Sequence, residues 1–389
     1  MKICMILPKG LPVPAVKGGA IETLVNDIVD RNEKEKLLDI TVASVYDEEA
    51  ERLAKTYSAS RFIFVKKGFS YILTALWVRL KNLFGKDLNT YNEAILNKIK
   101  KTDFDYIVVE DGNFLQFESY LRHFKKEQMI VHFHHNHTVP MPLDRIYSTY
   151  IGVSNFVAEN FRKVTEIKDI QVLKNGIKTE NFLKRISAEE RLAIRKELGF
   201  SQDDFIVVFC GRLVPQKGVL ELAKAVNAIN DEKIKLLIVG SANFGDDPEG
   251  NEYISLIHEE IEASNGRISA TGFVHNSKLY KYHQIADMGA MPSTYEDPAP
   301  LSFIELQASG LPTVITRTGG APEYAAEDTI IIDKDGDVVE ALKENILQLY
   351  NSPDLRTAMA ASAERNAARF NTETFYKDFV DILRKKGNE

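Results

Sequence analysis

Two basic side chains, Arg212 and Lys217, lie close together in the segment Gly211–Gly218, directly after an apolar run. A guanidinium group and a flexible ammonium group suit the charge of a diphosphate. They also suit the charge that develops when a diphosphate departs as a leaving group. The segment therefore predicts a diphosphate site, and the alternative interpretation is an ordinary surface turn in an acidic region.

A second segment, residues 292–305, begins with an extended proline-rich turn and continues as a helix pattern after Pro300. The first N–H groups of such a helix, with the positive end of its dipole, bind phosphate without any side chain. Glu305, about one turn further on, is placed to accept hydrogen bonds from ribose hydroxyl groups. The alternative is that Asp297 caps the helix and Glu305 faces solvent.

Residues 129–137 contain four histidines within six positions, which raises the question of a metal site. In a strand, His132 and His134 share one face and His135 lies on the other, so the rings do not converge without a turn. We therefore predict no bound metal. We interpret one histidine near the end of this strand as a functional residue, and the alternative is a hydrogen-bonded structural histidine.

The segment Lys66–Lys86 carries five basic residues and no acidic residue. Its apolar side chains recur at helical spacing: Phe69, Ile72, Leu73, Leu76, Trp77, Leu80, Leu83 and Phe84. Our first interpretation is a helix whose apolar stripe faces the core. The alternative is an interfacial helix that docks on an anionic membrane.

Short runs rich in Ile, Val and Phe alternate with helix-length segments, a pattern typical of parallel sheets covered on both faces. Strands are predicted at residues 2–7, 40–45, 61–65, 106–110, 129–134, 150–154, 170–173, 205–210, 235–240, 268–272, 288–293, 313–316 and 329–333. The fold class is therefore α/β, with two doubly wound Rossmann-like domains facing across a cleft. We predict an N-terminal domain over residues 1–175, to which a helix at 371–389 returns, and a second domain over 176–370.

Composition narrows the function classes further. The 389 residues are 44% hydrophobic and 27% charged, which excludes a disordered chain. Residues 1–200 carry 31 basic and 26 acidic side chains (+5), and the remainder carries 18 and 30 (−12), which together give −7. A basic first half suits an anionic surface or acceptor, and no nucleic-acid partner is predicted.

The chain lacks the sequence motifs that are typical of several other protein classes. Two cysteines, in separate apolar runs, provide neither a disulfide framework nor a CxxC metal site. A dehydrogenase GxGxxG is absent after the first strand, and a P-loop GxxxxGK[ST] is absent throughout. The first residues resemble a strand and not a secretory signal, so we expect a cytoplasmic protein.

Taken together, these motifs resemble the family-four retaining glycosyltransferases of the GT-B type. The resemblance rests on motifs in family order: Gly18–Glu22, Gly152–Ser154, Asn175–Ile177, the GRLVPQKG segment, Asp297-x7-Glu305, Ser309–Pro312 and Thr318–Glu323. It spans nearly the whole chain, including both predicted domains.

The resemblance implies a role for each matching residue. Donor binding would involve Gly19, Gly211, Arg212, Lys217, Pro300, Leu301, Ser302 and Glu305. Catalysis would involve His135, Asp297, Arg212 and Lys217. Asp297 departs from the glutamate usual in the family, so Glu296 is an alternative for that position. His134 is the alternative to His135 for the contact with the transferred sugar.

The activity implied by the resemblance is transfer of a hexosyl or deoxyhexosyl group from a nucleotide diphosphate sugar to a saccharide acceptor with retained configuration. The acceptor would be lipid-linked and the enzyme peripheral on the inner face of the plasma membrane, in surface polysaccharide or glycoconjugate synthesis. No cofactor or metal is expected. Two alternatives stay open: a nucleotide-sugar 2-epimerase-like enzyme, and a non-catalytic subunit that binds a nucleotide or a lipid carrier.

Overall fold

The computed structural model describes residues 1–241 and 252–387 of the chain. The chain divides into two compact units. Unit 1 comprises residues 1–176 and 372–389, and unit 2 comprises residues 177–371. Each unit is built on one sheet of parallel strands with helices packed against it.

Unit 1 contains a seven-stranded sheet in the order β3-β2-β1-β4-β5-β6-β7. Its strands are β1 (Lys2–Ile6), β2 (Asp39–Val45), β3 (Ser60–Val65), β4 (Tyr106–Glu110), β5 (Met129–Phe133), β6 (Thr149–Gly152) and β7 (Gln171–Val172). Every neighbouring pair is parallel. The strand order reverses between β1 and β4, and in such sheets functional residues collect at the carboxyl ends of the central strands.

The helices of unit 1 are α1 (Ala20–Glu35), α2 (Glu48–Ala54), α3 (Phe69–Leu83), α4 (Thr90–Ile99) and α5 (Asn155–Val164). The last helix of the chain, Thr372–Gly387, also belongs to this unit. Its Tyr376 hydroxyl donates a hydrogen bond to Asn32 Oδ1 of α1 at 2.6 Å, and both residues are buried. The C-terminal segment is thus tied to the first helix of the chain.

Unit 2 contains a six-stranded parallel sheet in the order β10-β9-β8-β11-β12-β13. Its strands are β8 (Phe205–Cys210), β9 (Ile234–Val239), β10 (Ile268–Ala270), β11 (Met288–Met291), β12 (Thr313–Thr316) and β13 (Ile330–Ile332). Alternate residues of β8 enter two separate apolar clusters, with Val207 and Phe209 in one and Ile206 and Val208 in the other. Both faces of the sheet are therefore covered, as the uninterrupted apolar runs predict.

The described helices of unit 2 are α6 (Thr179–Phe182), α7 (Ala188–Glu197), α8 (Val219–Ala228), α9 (Glu252–Ala263), α10 (Asn276–Ile285), α11 (Leu301–Ala308), α12 (Val338–Asn351) and α13 (Pro353–Ala367); the C-terminal helix is α14. Each of the thirteen predicted strands overlaps one of β1–β13. The predicted fold class, with two doubly wound parallel sheets, is confirmed.

One prediction about unit 1 is wrong. The apolar stripe of α3 does not face the core: Leu76 is 59% exposed, whereas Val78, on the opposite side of the helix, is 5% exposed. Val78 is the only buried residue of α3. Among residues 1–241 and 252–387, no helix is both long and apolar enough to cross a membrane.

Candidate active site

Two loops of unit 2, residues 211–218 after β8 and residues 292–300 after β11, meet beyond the carboxyl ends of these neighbouring parallel strands. The Thr294 N–H donates to the Gln216 carbonyl oxygen at 3.0 Å. Gly218 has a φ of 69°, and a Cβ there would lie 1.9 Å from the Pro292 carbonyl oxygen. Only glycine fits this approach, so the loop that carries Arg212 and Lys217 packs directly against the loop that carries Asp297.

Lys217 and Asp297 form an ion pair between these loops. The Lys217 Nζ to Asp297 Oδ2 distance is 2.5 Å, and the two side chains are 17% and 7% exposed. The same ammonium group lies 5.4 Å from the ring centroid of Tyr295. Burial, and then the Asp297 charge, raises the pKa of Tyr295 to about 12, while the Arg212 charge opposes this shift. Four side chains thus gather here, and Arg212 is exposed to solvent.

The two acidic candidates for the first position of the acidic motif face different partners. Asp297 is directed at Lys217. Glu296 Oε2 instead accepts a hydrogen bond from the Gly319 N–H at 2.5 Å, in the loop that follows β12. A Cβ on Gly319 would lie 2.1 Å from the Asp297 carbonyl oxygen, so this loop also packs tightly against the candidate site. Asp297 is therefore the acidic residue that shares the site with the basic side chains.

Helix α11 starts beside this group and lacks a side-chain cap. Pro300 occupies the N-cap and gives no side-chain hydrogen bond to the first turn, so Asp297 is not the cap of this helix. The backbone N–H groups of Leu301 and Ser302 open the helix, as predicted from the sequence. Burial, followed by the charge of Glu305, raises the pKa of the Cys210 thiol, which places Glu305 near the end of β8. Two cations, a helix N-terminus and one paired carboxylate form a site suited to an anion.

Unit 1 contains a second cluster of polar side chains, located where the neighbouring strands β4 and β5 end. Glu110 pairs in register with His132, and both are buried. Glu110 Oε2 contacts His132 Nδ1 at 2.9 Å and His134 Nε2 at 2.8 Å. β5 ends at Phe133, so His134 lies just beyond the strand, and the two rings converge on the same carboxylate oxygen. The expected shared face of His132 and His134 is thus present, and in the described residues the ligand atoms of Glu110, His132 and His134 lie within 4.8 Å of one another.

The Glu110 carboxyl group stays ionised although it is fully buried. Burial alone would raise its pKa, but the charge and hydrogen bond of His132 and the hydrogen bond of His134 outweigh it and lower the pKa to about 2. Burial lowers the pKa of His134, which favours the neutral ring. Glu110 therefore holds His134 inward, away from solvent.

His135 has a different environment from His134. Its Nδ1 contacts the carboxylate of Asp111, and 67% of its side chain is exposed, whereas Asp111 is 5% exposed. Asp111 has a φ of 66°, an unusual backbone conformation for a residue other than glycine. Burial alone would raise the pKa of Asp111, but hydrogen bonds from His135 and His137 lower it. His135 is therefore far more exposed to solvent than His134, whose Nε2 contacts the buried Glu110 carboxylate.

Gly19, the remaining predicted residue of unit 1, is the N-cap of α1 with a φ of 93°. A Cβ there would lie 2.1 Å from Glu22 Oε2. The positive φ at Gly19 favours glycine, and a side chain there would require the Glu22 carboxylate to move. Gly211, the remaining predicted residue of unit 2, directly follows β8.

Sequence reasoning missed three residues that shape these groups: Glu110, Asp111 and Tyr295. Glu110 ends the predicted strand 106–110 and Asp111 follows it, and two carboxylates at the carboxyl end of a central strand are a signal for a site. Tyr295 lies in the quoted segment 292–305, but its contact with Lys217 depends on loop packing that the sequence does not display.

Comparison with known proteins finds a family that most of unit 2 resembles. Residues 190–366 match the family described as "Glycosyl transferases group 1". Spore coat protein SA of Bacillus subtilis is 23% identical over 411 aligned residues, covering 99% of this chain and 100% of that protein. A D-inositol 3-phosphate glycosyltransferase of Corynebacterium urealyticum is 32% identical over 49% of this chain, which spans 45% of that relative's length.

Solved structures extend the comparison to the whole fold. The structure of Anabaena Alr3699/HepE in complex with UDP-glucose matches with a TM-score of 0.76 and 17% identity, covering 98% of this chain and 99% of that one. The family match covers most of unit 2, and the structural match adds the sheet of unit 1. The chain therefore has the GT-B fold, and its residues 190–366 are similar to the group 1 glycosyl transferases.

Proposed function

We propose that this chain is a glycosyltransferase that moves a sugar from a nucleoside diphosphate sugar to a saccharide on a lipid carrier, with retention at the anomeric carbon. The observation that carries the proposal is the group in unit 2 where Arg212, Lys217 and the uncapped start of α11 lie beside one another. Preorganised positive charge of this kind stabilises a departing diphosphate more than it stabilises the bound donor, so it lowers the barrier to transfer.

Each residue has a separate part in the proposed reaction. Arg212 and Lys217 neutralise the diphosphate as the bond between the anomeric carbon and the phosphate oxygen breaks. The Leu301 and Ser302 N–H groups bind phosphate oxygens, and Glu305 accepts hydrogen bonds from the ribose. His135, whose side chain is 67% exposed and whose Nδ1 contacts Asp111, contacts the transferred sugar.

Retention would follow from a front-face departure. The diphosphate oxygen that leaves the anomeric carbon takes the proton of the acceptor hydroxyl group, and that hydroxyl oxygen bonds to the carbon from the same face. No side chain is then required as a general base. Asp297, held 2.5 Å from Lys217, keeps the ammonium group in position for the diphosphate.

A lipid-linked acceptor is supported by the charge distribution and by α3. The first half of the chain is basic, with a net charge of +7 over residues 51–100 from 10 basic and 3 acidic side chains. Helix α3 in that half exposes an apolar face. We infer an enzyme on the cytoplasmic side of the plasma membrane that acts in surface polysaccharide or glycoconjugate synthesis.

A screen of nucleotide sugars tests the proposal. A donor present at 100 times its dissociation constant adds about 2.7 kcal/mol to the stability of the folded state, so thermal unfolding ranks the candidates. Product analysis with the best donor then separates the alternatives. Transfer to a saccharide acceptor supports the proposal. Release of a free epimerised sugar without acceptor indicates an epimerase, and binding without any product indicates a non-catalytic subunit.

We also propose that transfer requires no metal. The loops after β8 and β11 contain neither His nor Cys, and their buried carboxylate, Asp297, already pairs with Lys217. Turnover is expected to be unchanged by EDTA. Loss of turnover that manganese or zinc restores would contradict this expectation. In that case Glu110→Gln should reproduce the loss, because Glu110, His132 and His134 are the described trio able to hold an ion.

A further inference from the structure

Helix α3 of unit 1 presents a continuous apolar face to solvent. Six side chains within a sector of about 100° around the helix axis form this face. They are between 50% and 78% exposed: Phe69, Ile72, Leu73, Leu76, Leu80 and Leu83. We call these six residues the α3 face. A stripe this wide normally packs into a core. Its exposure on a folded unit indicates a surface that another molecule or a membrane covers.

The rest of the helix shows why the α3 face points outward. Val78, on the opposite side, is the buried anchor of the helix. The principal helical neighbour of α3 is α4, which follows it directly in the chain. The Asn82 side chain ties the end of α3 to the chain before α4, with Oδ1 accepting from the Leu88 N–H at 2.9 Å. The helix is thus held by the side that carries Val78 and by its C-terminal end, and the α3 face is left exposed.

The charges around the α3 face identify the chemistry of that partner. Lys66 and Lys67 precede the helix, Arg79 and Lys81 lie on its two sides, and Lys86 follows it, with no acidic residue between Lys66 and Lys86. Long basic side chains beside an apolar stripe are typical of helices that lie in the headgroup region of anionic bilayers, where the stems contact acyl chains and the charges contact phosphates.

The same charges argue against a second copy of the chain as the partner. A symmetric dimer through the α3 face would bring two identical sets of basic residues together without acidic partners. Like charges facing each other at an interface cost several kcal/mol. An anionic bilayer supplies both the apolar medium and the negative charge.

We propose that α3 docks the enzyme on anionic phospholipid by lying flat in the membrane interface with the α3 face toward the acyl chains. The inference deepens the proposed function, on which it rests for the lipid-linked acceptor. It assigns the docking to one helix. It predicts that the apolar residues and the basic residues contribute separately, the first by burial and the second by attraction to lipid phosphates.

The chain provides its own probe, because Trp77 is its single tryptophan and lies on α3 beside the α3 face. Mixing the protein with vesicles of equimolar phosphatidylcholine and phosphatidylglycerol should shift Trp77 emission to shorter wavelength, and brominated lipids should quench it. Vesicles of phosphatidylcholine alone should produce little change. Raising the salt concentration should weaken the binding, since exposed charges are screened.

Two variants and one control separate the contributions. Replacing Leu73, Leu76 and Leu80 together with Ser should weaken vesicle binding roughly tenfold or more, through lost apolar burial. Replacing Lys66, Lys67, Arg79 and Lys81 together with Gln should weaken it by a similar factor and remove most of the salt dependence. The control replaces three leucines exposed to a comparable degree on other helices, Leu53, Leu192 and Leu256, with Ser. It should bind vesicles like the unmodified chain.

Several results would overturn the inference: no binding to anionic vesicles, equal binding to both vesicle types, or full binding by the leucine variant. A concentration-dependent dimer in sedimentation that the leucine variant abolishes would assign the α3 face to a second copy instead. Nucleoside diphosphate affinity and transfer to a water-soluble acceptor are measured on the same variants and should be unchanged. Failure of the proposed function would remove transfer while leaving vesicle binding, and failure of docking would do the reverse.

Discussion

Replacing Arg212 or Lys217 with Ala is expected to lower kcat/KM for the sugar donor by about 10²–10³-fold, the usual cost of removing one preorganised group at developing charge. Both residues lie on the loop after β8, and Asp297, in the loop before α11, holds Lys217 in an ion pair. The loss should fall mainly on kcat, because the negative charge on the diphosphate grows as the sugar departs. Steady-state kinetics with the intact donor measure it.

The Lys217 variant needs a further control, since it leaves the buried Asp297 carboxylate without its partner. An unpaired buried charge destabilises the fold and would lower activity for an unrelated reason. The double variant Lys217→Ala with Asp297→Asn removes both charges, so it should recover stability in thermal unfolding without recovering turnover. Lys224→Ala, an exposed lysine on α8, is the matched control and should leave kinetics unchanged. Full turnover in Arg212→Ala and in the double variant would contradict the assignment.

The sheets of this protein were predictable because burial on both faces leaves a direct record in the sequence. A strand such as Phe205–Cys210 is covered on both sides, so every position is apolar and the run stands out from its charged flanks. The basic side chains after it were predictable for a related reason. The carboxyl ends of parallel strands collect functional groups, so Arg212 and Lys217 are candidates by position alone.

The orientation of α3 was not predictable on the same basis. Helical periodicity identifies which residues share a face, but it does not say whether that face meets the core or solvent. Leu76 and Val78 are both apolar and two positions apart, yet only Val78 is buried. The decision depends on whether unit 1 offers a complementary surface, which is a property of the assembled fold.

The pairings within the candidate site depend on tertiary structure as well. Lys217 and Asp297 are 80 positions apart, and they meet because β8 and β11 are neighbours in the sheet. The contact between Glu110 and the histidines depends on the parallel register that places Glu110 opposite His132. Strand order and register arise from the packing of the whole unit, so residue types and spacing alone did not reveal these partners.

His135→Ala is expected to slow sugar transfer by about two orders of magnitude while leaving affinity for the free nucleoside diphosphate within about twofold. His135 belongs to unit 1, and the groups proposed to bind the diphosphate belong to unit 2. If His135 contacts the transferred sugar, replacing His135 should not change the affinity for a nucleoside diphosphate, which lacks that sugar. Calorimetric titration with the nucleoside diphosphate, beside turnover with the intact donor, measures the two effects separately.

The variant Asp111→Asn tests the role of His135 through the carboxylate that contacts its ring. The carboxylate holds the His135 ring at Nδ1, and the lowered pKa of Asp111 keeps that carboxylate charged near neutral pH. An amide of the same size keeps the shape but removes the charge that fixes the ring and its tautomer. Transfer should therefore fall with a changed pH profile, and nucleoside diphosphate affinity should not.

The control for both variants is His123→Ala, which removes an exposed histidine elsewhere in unit 1 and should leave transfer unchanged. If His135→Ala loses nucleoside diphosphate affinity as severely as Arg212→Ala, its contact is to the nucleotide and the assignment to the sugar is wrong. If His135→Ala leaves turnover intact, His134 becomes the candidate. That outcome would require the His134 ring to leave Glu110, because its Nε2 now lies 2.8 Å from that carboxylate. His134→Ala would then slow transfer, and a shift in its thermal unfolding would report the lost contact with Glu110 separately.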